Sequence, residues 1–209
     1  MEQKYMNDEN TDSEVVIKKS RFLSFIKRTV SEAEAKAFIA EIKKEHKAAT
    51  HNCSAYIVGQ SALIQKADDD GEPQGTAGVP ILEVLKKEEL YNVTVVVTRY
   101  FGGIKLGSGG LIRAYSQGAS AAVNSAGKVI EIPVVPLTVT LDYTFTSKFE
   151  HFLEGTDVTI ASTDYTDKVT YLLHIKEKDV DDIVNTLKEI TSDSFSYQAG
   201  EIITALEPV

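Results

Sequence analysis

Two clusters of side chains in this sequence have the types and spacing to do chemistry, one cationic and rich in glycine, the other acidic. In RYFGGIKLGSGGLIRAYS, Arg99, Lys105 and Arg113 accompany five glycines (Gly102, Gly103, Gly107, Gly109 and Gly110) crowded into nine residues. Glycine frees the backbone for positive φ and lets it approach a ligand closely. The unpaired amides at the start of the helix that follows form a positive site, so an anion is the natural ligand. A tight strand-to-helix turn with solvated basic residues would use the same letters. The second cluster, Asp68, Asp69, Asp70 and Glu72 in DDDGEPQGTAG, could hold Mg²⁺ through one or two oxygens, accept hydrogen bonds from arginines, or form a solvated turn. Of the three, the solvated turn is the simplest expectation.

Familiar motifs fail on specific letters. A dinucleotide fingerprint beginning at Gly107 and Gly109 needs glycine where Ile112 stands, and a Walker loop from Gly102 to Gly107 needs Lys where Ser108 stands. A nucleophile elbow on Ser108 needs glycine at Leu106. An EF-hand with its glycine at Gly71 would begin at Lys66 and end at Ala77, neither of which is a calcium ligand. His46, His51 and Cys53 lack a fourth ligand at zinc spacing, so no metal site is expected and Cys53 reads as a small buried residue.

The elements that must position these groups follow from periodicity. Val93 to Val97 is a β-branched run that suits a strand covered on both faces. Leu111, Ala114, Tyr115, Gly118, Ala119, Ala122 and Val123 recur at helical spacing behind it, with Ser108 as N-cap and Gly127 at the end. Upstream, residues 14–19 and 22–29 predict strands joined by the basic turn Lys18, Lys19, Ser20, Arg21. Ser31 and Glu34 box a helix to about Lys47, burying Ala35, Phe38, Ile39 and Ile42. Further strands are expected over Tyr56–Val58 and Ser61–Lys66, and a helix capped by Thr76 carries Ile81, Leu82, Val84 and Leu85. Residues 1–13 offer almost nothing to bury and are expected to be disordered. Pro133 and Pro136 mark a junction, giving domains of 14–135 and 136–209. In the second, strand 137–145, a helix boxed by Ser147 and Glu150, the hairpin 157–163 and 168–175, a helix capped by Asp179 and strand 195–206 make the order βαββαβ, the ferredoxin-like plan. The fold class is α+β in two domains.

Composition sets the setting. With 209 residues, 43% hydrophobic and 25% charged, the chain is an ordinary globular one. No apolar run reaches the roughly 18 residues of a spanning helix, and the start is polar rather than signal-like, so a cytoplasmic protein without a membrane partner is expected. The single cysteine fits a reducing compartment. The net charge of −9 is unevenly placed: residues 1–135 carry 17 Lys and Arg against 17 Asp and Glu, whereas residues 136–209 carry 5 against 14. Such an acidic module repels a phosphate backbone, which leaves nucleic-acid contacts to the first domain and a protein partner to the second.

Four separated blocks, KKSRF, THNC, DDDGEPQGTAG and RYFGGIKLGSGGLIRAYS, occur in an order that resembles the IMPACT family, in particular its bacterial YigZ-like members. The resemblance implies a first domain similar to the second domain of a small-subunit ribosomal protein, and a second similar to the last domain of elongation factor G. It also implies a translation-related role, since eukaryotic members act in translational control. No established catalytic set accompanies the family. Its motif residues are therefore carried over only as a presumed site. Arg21, Arg99, Gly102, Gly103, Lys105 and Gly110, with Arg113 beside them, form the anion-binding group, and His51, Asn52, Asp69, Asp70 and Glu72 the polar group. These residues either converge on one surface or pair with one another, with Arg99 bonded to the acidic loop.

The expected function is a non-enzymatic regulator or RNA- or ribosome-binding protein that needs no cofactor. The alternative is a Mg²⁺-dependent enzyme on a phosphorylated small molecule or nucleotide, with Asp69, Asp70 and Glu72 around the ion and His51 moving the proton.

Overall fold

A computed structural model describes residues 4–209 and divides the chain into two compact units, residues 1–130 with 208–209, and residues 131–207. The division falls inside a continuous strand, upstream of the boundary expected at 135/136.

The first unit opens with the two-residue strand β1 (Met6–Asn7), followed by β2 (Thr11–Ile17) and β3 (Ser20–Arg28). The expectation of a disordered stretch over 1–13 therefore fails from residue 4 onward; residues 1–3 lie outside the described part. Met6 and Asn7 are buried, and the Arg28 guanidinium donates to the carbonyls of Asn7 and Asp8, so this polar segment is fixed through its backbone. Next come α1 (Glu32–Glu45), β4 (His51–Val58), β5 (Ile64–Asp68), α2 (Gly78–Lys87), β6 (Val93–Tyr100) and α3 (Ser108–Ala126). The five longer strands pair antiparallel in the order β2-β3-β6-β4-β5, which puts β6 at the centre. Its β-branched run is buried on both faces. One face (Phe22, Ile26, Cys53, Ala55, Ile57, Val93, Val95 and Val97) packs under α2 and α3. The other face packs under α1, where Phe38 and Ile42 meet Val96 and Ala35 meets Tyr56. The Ser31 hydroxyl accepts from the Glu34 amide at the α1 start, as the capping box requires.

The start of α2 differs from expectation. Its N-cap is Ala77, and no side chain at that position caps it. The Thr76 hydroxyl donates to the Pro73 carbonyl instead. The helix amides are answered from the preceding turn: Asp69 Oδ1 accepts from the amides of Ala77 and Gly78 at 3.0 and 2.8 Å, and Oδ2 accepts from Gly75 at 2.7 Å. A carboxylate at a helix N-terminus also opposes the positive end of its dipole. DDDGEP is consequently a folded junction rather than a solvated turn.

The second unit is built on β7 (Lys128–Leu141), which passes through both Pro133 and Pro136 without breaking. It continues with α4 (Tyr143–Leu153), β8 (Thr159–Tyr165), β9 (Val169–Ile175), a short 3₁₀ turn, α5 (Val180–Thr191), β10 (Phe195–Ala199) and β11 (Ile203–Pro208). The strand order is β10-β7-β9-β8, all antiparallel, with β11 also on β7. Leu137, Val139 and Leu141 alternate inward against Phe149, Tyr171, Leu173, Ile183 and Leu187. Three expectations shift: Tyr143 and Phe145 belong to α4 rather than to the preceding strand, Ser147 and Glu150 lie inside that helix rather than boxing its start, and the predicted last strand is two strands.

Replacing Asp69 with Ala removes three charge-assisted bonds to backbone amides while leaving the apolar core intact. Urea unfolding should show a loss of at least about 2 kcal/mol. A change below about 0.5 kcal/mol would mean that α2 starts without this carboxylate.

Candidate functional site

His51 lies directly opposite Arg99 in the β4–β6 ladder, on the face covered by α2 and α3. The turn between β5 and α2 brings Glu72 over the same end of the sheet, and the loop 101–107 leaves from it. Glu72 is only 8% exposed. Its Oε1 accepts from Arg99 Nη1 at 2.6 Å and from the Tyr115 hydroxyl at 2.8 Å. Its Oε2 accepts no hydrogen bond among the described residues, and His51 Nε2 stands 3.9 Å away. His51 Nδ1 is 2.8 Å from the Asp70 carbonyl, which can only accept, so Nδ1 carries the proton. Nε2 is then the ring nitrogen that faces Glu72.

Arg99 is 6% exposed, with its guanidinium 5.6 Å from the Phe22 ring centre and 5.3 Å from that of Phe101. Its Nε is buried with no hydrogen-bond partner among the described residues. Beneath it, burial raises the Tyr115 hydroxyl far above the ordinary phenol range, with Cys53 and Glu72 adding to the shift. Burial likewise raises the Cys53 thiol, although its contact with Tyr115 works the other way, so Cys53 is a protonated, unreactive donor to the Asp69 carbonyl.

His51, Glu72 and Arg99 form the floor of an open pocket of about 410 Å³, with Tyr115 behind Glu72. Pro73, Phe101, Leu106 and Leu111 make apolar walls, and Lys105, Gly107 and Ser108 stand at the glycine-loop side. Ser108 is the first residue of α3 and not its cap; Gly107 holds that position at φ 71°, a conformation that a side chain would strain. Gly107 has no side chain to bond the first amides of this helix.

Other predicted residues are placed elsewhere. Arg21 is on the opposite face of the sheet from Arg99 and is engaged by Glu14 at 2.6 and 3.1 Å, which removes it from the anion group. Asn52 also points to the α1 side, where its Oδ1 accepts from the Thr98 hydroxyl, and its backbone N–H donates to Asp70 Oδ2 at 2.6 Å. The other Asp70 oxygen takes Lys43 at 2.6 Å. Asp69 and Asp70 thus spend their oxygens on structure, and only Glu72 of the acidic turn reaches the pocket. Gly102 abuts the backbone of Lys19: a Cβ there would stand 2.0 Å from the Lys19 carbonyl. That approach brings the exposed Lys18 and Lys19, both at positive φ, beside the glycine loop. Gly103 has φ 84°, Gly110 lies in the first turn of α3, and Arg113 is exposed on α3 outside the pocket. The member of the polar cluster that spacing missed is Tyr115, because its helical period marks it only as core. The walls Phe101, Leu106 and Leu111 carried no signal beyond being apolar.

Glu72→Ala leaves the Arg99 guanidinium buried without its carboxylate, and should destabilise the protein by about 3–5 kcal/mol in urea unfolding. Tyr115→Phe removes one hydrogen bond and keeps the ion pair, so it should lose only about 1–3 kcal/mol. Equal losses in the two variants would show that the pair itself contributes little.

Residues 18–123 match the Impact N-terminal domain, and residues 139–194 match a domain of unknown function, DUF1949. The IMPACT family member YvyE of Bacillus subtilis is 44% identical over 191 residues, which cover 91% of this chain and 88% of that protein. The IMPACT family member YigZ of Escherichia coli is 38% identical over 151 residues, covering 71% and 74%. A solved structure described as the crystal structure of an hypothetical protein is 32% identical, with a TM-score of 0.60 over 96% of this chain and 98% of that one. With its first domain matched across the strands and helices that build the pocket, and with relatives aligned along nearly its whole length, this chain belongs to the IMPACT family.

Proposed function

We propose that this protein is a non-enzymatic, translation-associated RNA- or ribosome-binding regulator of the cytoplasm, whose glycine-rich loop holds phosphate. The observation that carries the reading is the junction of that loop with α3: an uncapped helix start, with Lys105 at the pocket side and the exposed Lys18 and Lys19 beside Gly102. Helix-start amides and lysines are the groups that hold phosphate oxygens. Membership of the IMPACT family supports the translation setting, since the family resemblance implies translational control. No helix of the described residues is long and apolar enough to cross a membrane.

The second unit belongs to the same proposal as a ferredoxin-like module for a protein partner. Its strand order supports the ferredoxin-like reading, and its 14 acidic against 5 basic residues over 136–209 disfavour a nucleic-acid surface. The Mg²⁺-dependent alternative loses ground for a chemical reason. Asp69 and Asp70 each have both oxygens in hydrogen bonds to the protein, which leaves Glu72 Oε2 as the one open carboxylate oxygen of that trio.

Titrating the full chain against ribosomes and structured RNA at two salt concentrations tests the reading. Affinity should fall as salt rises, and Lys105→Ala, a change at an exposed side chain, should weaken binding and reduce the slope of log K against log salt by about one. Binding indifferent to salt, or absent at low salt, would refute it.

A further inference from the structure

Strand β8 (Thr159–Tyr165) ends its sheet: β9 pairs with one side of it, and among the described residues nothing pairs with the other. An open strand edge presents a row of backbone N–H and C=O groups to any extended chain, and proteins guard such edges with lysine, proline or a bulge. β8 holds neither lysine nor proline, and its one irregularity is the register shift between Ile160 and Ser162.

The register sorts the β8 side chains by face. Ile160, Thr163 and Tyr165 stand opposite Leu173, Tyr171 and Val169, which belong to the core shared with α4 and α5. That row is therefore on the core side, yet Ile160 is 41% and Tyr165 62% exposed, and the Tyr165 ring stacks on the exposed Tyr143 of α4 with ring centres 6.5 Å apart. Thr159, Ser162 and Asp164 stand opposite His174, Leu172 and Thr170 on the other face. Charge along this edge has one sign: residues 154–167 hold Glu154, Asp157, Asp164 and Asp167 and no lysine or arginine. One more strand here would cover the Ile160 and Tyr165 row with its own apolar residues and set its alternate residues beside Asp164, where opposite charge is favoured. A second copy of β8 would bring like charge instead.

We infer that β8 takes an extended segment of a protein partner by strand addition, a segment in which basic residues alternate with apolar ones. The inference rests on the assignment of the second unit to a protein partner, and adds to it the edge, the mode of pairing and the chemistry of the partner segment.

Short peptides of alternating lysine and valine, of alternating glutamate and valine, and of alternating lysine and proline test it on the full chain, by calorimetry and amide hydrogen exchange. The lysine–valine peptide should bind at least about fivefold tighter than either of the others, and should slow exchange of the β8 amides. Asp164→Lys should weaken that binding about threefold or more, and Tyr165→Ala by about two- to fivefold. Both changes are at exposed side chains, and the comparison of peptides on the unaltered protein decides independently of them. Peptide binding that protects other parts of the second unit and not β8 overturns strand addition while leaving the protein-partner reading in place. Protection of the second unit by single-stranded oligouridine RNA, and not by the lysine–valine peptide, overturns both. Equal binding of the lysine–proline peptide shows attraction of charge alone and overturns the inference. No binding of any peptide also overturns it, as does β8 protection that rises with protein concentration before peptide is added, the mark of a second copy on the edge.

Discussion

A carboxylate removed from water loses several kcal/mol of hydration, and at the buried Glu72 that loss is offset by the opposite charge and hydrogen bonds the fold brings to it. The partners come from three parts of the first unit: Arg99 from the central strand β6, Tyr115 from the buried face of α3, and His51 from β4 at the edge of contact. None is near Glu72 in sequence except through the fold. The acidic turn, the central sheet and the long helix are therefore held in one relation, and the glycine loop that joins β6 to α3 is anchored at both ends by residues of this cluster. One oxygen of Glu72 is held by Arg99 and Tyr115, and the other faces the pocket beside His51.

Close approach sets the second constraint. The glycine loop lies against the β2–β3 turn so tightly that Gly102 has no room for a Cβ beside the Lys19 carbonyl, and this contact, rather than sequence proximity, groups Lys18 and Lys19 with Lys105 as the cationic surroundings of the loop. Arg21, four letters from Ile17 in the same basic turn, is lost to that surface by strand alternation: it projects to the α1 side and meets Glu14. A basic run in sequence thus becomes two separate electrostatic environments.

The two units divide the chemistry as well as the chain. The first carries balanced charge, the pocket and the polar cluster; the second encloses its own apolar core and holds the acidic excess. The acidic excess disfavours an anion at the surface of the second unit within the Debye length of about 8 Å in physiological salt.

Strong periodic signals made most of the elements legible in the sequence: the doubly buried run of β6, the small-residue face of α3, the Ser31–Glu34 box and the alternation of Leu137, Val139 and Leu141 are local patterns that survive packing unchanged. The glycine loop, Arg99, Lys105, His51 and Glu72 were legible as residues with chemical potential, and the pairing of Arg99 with the acidic loop was one of the open alternatives. What the sequence could not decide was direction and partnership. Asp69 and Glu72, three residues apart, read alike as acidic letters, yet one caps α2 and the other forms the pocket floor, because the turn between them reverses the chain. Asn52 and His51 are neighbours on opposite faces of β4, and Tyr115 has the spacing of a core residue while its hydroxyl completes a polar cluster. Hydrophobic period reports which side of an element is buried; only the tertiary structure determines which charges and donors meet there, because a buried polar group is satisfied by whatever the fold carries to it from far along the chain.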